Sequence, residues 1–211
     1  MKWLDTLERR FERYAIPNLI NYVVIGQIAI YMVALLLRGD IANFLTLNRA
    51  GILAGQPWRL VTFVLVPDNY QPLYFALGCY FTWYVGQSLE QQCGTSWFNL
   101  YYIFGMLGAW VSCAITGYGS AYTLSLSLFL AFAWMFPNVQ LLLFFVIPVR
   151  VKWLGWLAGG LWAWEFLLSR PVGKLSLACE MIGFALFFGP DLWRELKAWN
   201  RRRQWRNQNR R

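Results

Sequence analysis

The chain has 211 residues, of which 58% are hydrophobic, 19% aromatic and only 14% charged, well below the roughly 25% charged share of a soluble domain. That balance excludes an ordinary water-soluble globule and indicates a polytopic membrane protein. The net charge of +9 falls in segments flanking apolar runs, so it describes membrane borders rather than a nucleic-acid surface, and the lack of any histidine removes most imidazole-based and zinc chemistry.

In chain order, Trp3, Leu4, Leu7 and Phe11 fall at helical spacing among Lys2, Asp5, Glu8, Arg9, Arg10, Glu12 and Arg13. This pattern predicts a retained amphipathic helix on the membrane surface, within a cytoplasmic segment 1–17. The first span is Asn18 to Leu37, with Asn18, Asn21 and Gln27 placed to hydrogen-bond neighbouring helices. From Gly39 to Gln71 the apolar clusters are too often interrupted to cross a bilayer, and they predict short helices half sunk in the interface.

The second span is Pro72 to Ser88 and the third Trp97 to Thr116, followed by a tight turn at Gly117 and Gly119. The fourth, Ser120 to Phe136, carries no charge and stops at Pro137; at about 1.5 Å per residue it just reaches across roughly 30 Å of hydrocarbon. Val139 to Val149 is equally apolar but too short to cross, and is closed by Pro148, so it is expected to form a buried or interfacial connector. The fifth span is Trp153 to Ser169 and the sixth Lys174 to Gly189. Residues 191–211 form a polybasic tail with eight Lys or Arg, suited to anionic lipid headgroups.

These runs predict an all-α, six-span membrane domain over residues 18–190. Cys79, Cys93, Cys113 and Cys179 lack CxxC spacing and read as small hydrophobes. Most of the thirteen tryptophans read as interfacial belt anchors. With six spans both termini share a side. Fourteen Lys or Arg fall on that side, whereas five (Arg38, Arg49, Arg59, Arg170 and Lys174) fall on the other. The positive-inside rule then makes both termini cytoplasmic and the large first loop external.

Three groups of residues within this framework resemble the rhomboid family of intramembrane serine proteases. Gly55 to Thr62, with Trp58 and Arg59, resembles the family's first-loop motif. Gly86, Leu89, Glu90, Gly94, Phe98, Tyr101, Tyr102 and Gly105 resemble the end of its second helix and the start of its third. Ala131 to Asn138 with Ile147, Pro148 and Val149 resembles the end of its fourth helix and the connector beyond. The similarity covers about residues 16 to 190. It implies a six-helix rhomboid-like bundle with a polar cavity reachable from the lipid between helices two and five. Within it, Trp58 and Arg59 are expected to anchor loop one at the headgroups, Arg59 capping carbonyls or pairing phosphate. Glu90 is expected to hydrogen-bond the loop that follows it.

The family's chemistry does not carry over. Counting without gaps from Phe136-Pro137-Asn138 places Tyr122 at the nucleophile's position. Counting from Glu90 places Tyr74 and Gly78 at the two positions that serve the oxyanion hole. Aligning Gly183-Phe184 places Glu180 at the catalytic histidine. A serine activated by imidazole, with donors aimed at the oxyanion, is what such hydrolysis requires.

Ser125 and Ser127 lie further along the fourth span and offer nucleophiles if the register slips, although a serine in a membrane helix ordinarily bonds its own backbone or a neighbouring helix. Glu165 and Glu180 are carboxylates inside spans, where an ionised group is expensive. Glu180 reads either as a buried carboxyl partnering Tyr122 or Tyr74, or, with Tyr122 and Glu165, as a contact for a client helix. The leading expectation is an inactive rhomboid-like protein, without cofactor or metal, that binds transmembrane segments of client proteins. An unusual intramembrane protease and a small-solute or proton pathway are the alternatives.

Overall fold

The computed structural model describes residues 15–36, 40–67, 69–143 and 147–189 with Arg13 and Lys197; the side chains of residues 40–42, 123, 142, 143, 147 and 180 lie outside that description. The expected amphipathic segment, apart from its last residues, and the polybasic tail, apart from Lys197, also lie outside it. The chain is mostly helical. Among the described residues two helices are long and apolar enough to cross a membrane, or three if a bent helix pair counts as one span.

Helix α1, Leu19–Leu36, starts where Asn18 takes a left-handed φ of 55°, a conformation asparagine tolerates better than most residues. It is peripheral, with only Ile20, Val23, Tyr31 and Ala34 buried. The first loop then folds as short pieces: α2 (Asp40–Leu45), β1 (Leu47–Asn48), α3 (Arg49–Leu53), α4 (Arg59–Thr62) and a 3₁₀ turn at Phe63–Leu65. Asn48 caps α3 by accepting the Gly51 amide at 2.6 Å.

Helix α5, Pro72–Cys93, runs one turn beyond the predicted second span, because no helix breaker intervenes before Gly94. Gly94, at φ 91°, reverses the chain directly into α6, Thr95–Thr116. Helix α6 is central: it is buried on a face that runs from Phe98 to Cys113, and it packs on α5, α7 and α9. It ends on left-handed Gly117, whose amide returns to the Cys113 carbonyl at 2.9 Å. The turn carries β2 (Tyr118–Gly119), which pairs antiparallel with β1 and so ties the first loop to the bundle.

Helix α7 covers only Tyr122–Met135, 14 residues, rather than Ser120 to Phe136. At its start the Ser120 hydroxyl accepts the Tyr122 amide in a turn. At its end Phe136, before Pro137, has left helical geometry. The connector is a β-hairpin, β3 (Gln140–Leu143) against β4 (Ile147–Arg150), with Leu142 opposite Pro148. Strand pairing satisfies the backbone of this apolar run, which is too short to span. Helix α8 is Val151–Leu168.

The final apolar segment is broken. Helix α9, Pro171–Glu180, begins at the proline that the sequence reading placed in a turn, and α10, Ile182–Gly189, leaves it at 54°. Gly183 of α10 lies so close to α6 that a Cβ there would sit 3.3 Å from the Gly105 amide nitrogen.

Polar and aromatic pairs zip α1 to α5 along their length. Trp83 donates its indole N–H to Asn21 at 2.9 Å, the Cys79 thiol faces Gln27, and the Tyr31 ring stacks on Phe75 at 3.9 Å. Gln27 also donates to the Val64 carbonyl at 3.0 Å. Asn21 and Gln27 thus do bond neighbouring elements. On the far side Tyr101 is buried, stacked on Trp97 at 5.4 Å and edge-on to Phe187.

A candidate binding cavity between α5 and α7

Helices α5 and α7 pack against each other and border a half-open cavity of about 260 Å³. From α5 it is lined by Gly78, Phe81, Thr82 and Val85, which recur at three- and four-residue spacing on one helical face. From α7 come Tyr122, Ser125, Leu126, Leu128 and Phe129. Three positions singled out in the sequence, Gly78, Tyr122 and Ser125, therefore meet at one site.

The walls are apolar, with Phe81 and Phe129 rings 5.3 Å apart. Among the described residues, the polar side-chain groups of the lining are three hydroxyls, on Thr82, Ser125 and Tyr122, and none of these lining residues is charged. Ser125 thus shares the cavity, among the described residues, with no acid, amine or imidazole. Ser127 is buried and donates to the Leu124 carbonyl at 2.9 Å, the local backbone bond typical of a helical serine.

The remaining candidates are dispersed. Tyr74 lies in the first turn of α5, is 55% exposed and is not part of the lining; Tyr122 is 58% exposed at the rim. The two tyrosines therefore do not fill the cavity as a packed pair: Tyr74 stands a turn away from Gly78, and Tyr122 opens α7. The Glu180 side chain lies outside the described residues, and so does its expected pairing with either tyrosine. Glu165 is exposed in the last turn of α8, where its backbone carbonyl accepts the Ser169 amide and hydroxyl. There its side chain is turned away from the bundle interior.

The motif residues have structural partners. Arg59 is only 6% exposed. Its Nη1 donates to the Asn43 and Thr46 carbonyls, both at 2.8 Å, its Nε donates to Gln56 at 2.6 Å, and its guanidinium lies 5.8 Å from the Phe44 ring centre. It caps carbonyls of the first loop, while neighbouring Trp58 is 44% exposed. Glu90, 8% exposed, accepts the Asn18 backbone amide at 2.8 Å. This corrects its expected partner: the carboxylate holds the residue before α1, not the loop after α5, because the start of α1 packs beside the end of α5 and a helix N-terminus attracts negative charge. Asn99 reinforces this junction by donating to the Ile16 carbonyl at 2.9 Å.

Sequence reasoning found Gly78 and Tyr122 but missed Phe81, Thr82, Val85 and Phe129, and weighed Ser125 only as a nucleophile. The signal was present in the i, i+4 spacing of Gly78 and Thr82 and the i, i+3, i+7 spacing of Tyr122, Ser125 and Phe129. Among the described residues no group of three His, Cys, Asp or Glu side chains is placed to hold a metal. No protein-family model matches the sequence, and no curated protein matches it.

Proposed function

We propose that this chain is a catalytically inactive, rhomboid-like membrane protein with six spans, which binds transmembrane segments of client proteins without cutting them. On this reading α1, α5, α6, α7, α8 and the broken α9–α10 pair are the spans, and both termini face the cytoplasm. The observation that carries the proposal is the cavity shared by Gly78 and Tyr122. The positions that resemble an oxyanion-hole position and the nucleophile's position lie together, and among the described lining residues there is no base for Ser125 and no preorganised charge for an oxyanion. Such a site offers a neighbouring helix an apolar recess with hydroxyls at hand, and interhelical packing with hydrogen bonds is what drives association in lipid.

Photo-crosslinkers at Tyr122 and at Leu36, on α1, test the reading in native membranes. Membrane-protein adducts enriched at Tyr122 over Leu36, with no labelling by a serine-reactive phosphonate, are the expected outcome. Phosphonate labelling lost in Ser125→Ala would establish a protease instead.

A further inference from the structure

We infer that the α5–α7 cavity receives one bulky, uncharged apolar side chain, of the leucine, methionine or phenylalanine class, from a transmembrane helix docked beside α5. The inference rests on the client-binding reading above and gives that client a chemical signature.

Gly78 provides the first argument. Glycine inside a helix is unfavourable relative to alanine, and it is ordinarily explained by a positive φ or by close packing. Gly55, Gly94 and Gly117 have positive φ, and Gly78 does not. At Gly86, Gly105 and Gly155 an added Cβ would press on Ile20, Leu124 and Ala133, whereas at Gly78 it would meet no heavy atom within 4 Å. Gly160 and Gly189 are equally open but are not part of the cavity. At Gly78, then, neither backbone nor internal packing offsets the choice of glycine, and the space it leaves belongs to the cavity.

Size and charge complementarity define the occupant. About 260 Å³ falls below the roughly 300 Å³ at which small-molecule pockets begin, which suits one large side chain laid against the Phe81 and Phe129 rings, themselves in contact with each other. An entering charge would find no counter-charge among the described lining residues and would lose its hydration without compensation. Since lipid tails are as apolar as leucine, selectivity here comes from filling the recess: unfilled walls forgo dispersion contacts that a fitting side chain restores. The hydroxyls of Thr82 and Ser125 remain available to the incoming helix backbone.

The test uses the full chain, dye-labelled and reconstituted in phosphatidylcholine nanodiscs, titrated with a labelled Leu/Ala transmembrane peptide bearing one central guest residue. Leucine and phenylalanine guests should bind about tenfold more tightly than alanine, and arginine no more tightly than alanine. Gly78→Leu, which fills the recess from within, should erase this preference at unchanged helicity. Ser125→Leu, from the opposite wall, should do the same and serves if Gly78→Leu does not fold. Peptides that bind wild type with no dependence on the guest overturn this inference and leave client binding standing. If none of them binds, both fall.

Discussion

Arg59 is buried as a whole residue and its guanidinium needs acceptors; among the described residues it finds them in two carbonyls and an amide oxygen of the first loop. Removing it strands the Asn43 and Thr46 carbonyls. Arg59→Ala should therefore lower stability by about 2–4 kcal/mol, measured by reversible unfolding in mixed micelles. Arg59→Lys should recover only part of that loss, since a single ammonium cannot reproduce the planar fork that serves Gln56 and both carbonyls together. At Glu90, Gln keeps an acceptor for the Asn18 amide and Leu does not. Glu90→Leu should be less stable than Glu90→Gln by about 1–3 kcal/mol, and equal stabilities would show that the carboxylate does not hold the start of α1.

At the level of elements, the turn joining α5 to α6 consists of one residue, Gly94, with φ 91° and ψ 154°. Only glycine occupies that region without strain. Gly94→Ala should lower stability by about 1–3 kcal/mol although its new methyl would meet no neighbour; an unchanged melting curve would mean that the turn adopts another conformation. How far each element could be read beforehand follows from its local chemistry. The short helices of the first loop and the Gly117 reversal were legible because polar interruptions and glycine act locally. The hairpin at 140–150 was not, because a short apolar run has no periodicity that separates strand from helix. Nor was the bend at Met181: neither proline nor glycine occupies the break, and the partner that α10 leans on, Gly105, is 78 residues earlier in the chain. The cavity was half legible, since the family resemblance picked out Gly78 and Tyr122, but its aromatic walls depend on which faces of α5 and α7 turn toward each other.

For the molecule as a whole, orientation is the most direct test of the six-span proposal. Reporters fused before Met1 or after Arg211 should both read cytoplasmic, and one inserted near Asn43 external, as the distribution of Lys and Arg requires. A cytoplasmic first loop would overturn the arrangement. Replacing the arginines from Arg201 onward should weaken attachment to anionic vesicles by about 1 kcal/mol per charge, with the helical core unchanged by circular dichroism.

The brevity of α7 also bears on the lipid. Fourteen residues rise only about 21 Å, some 9 Å less than a typical hydrocarbon core. On the six-span proposal, the surrounding bilayer must thin or tilt its tails where α7 meets it, so the protein carries a built-in hydrophobic mismatch on the side of its cavity. Bilayers of shorter acyl chains relieve that stress and thick, sterol-rich ones increase it. The protein should accordingly partition into the thinner phase of a phase-separated vesicle, drawing to its flank those helices that are themselves too short for the membrane around them.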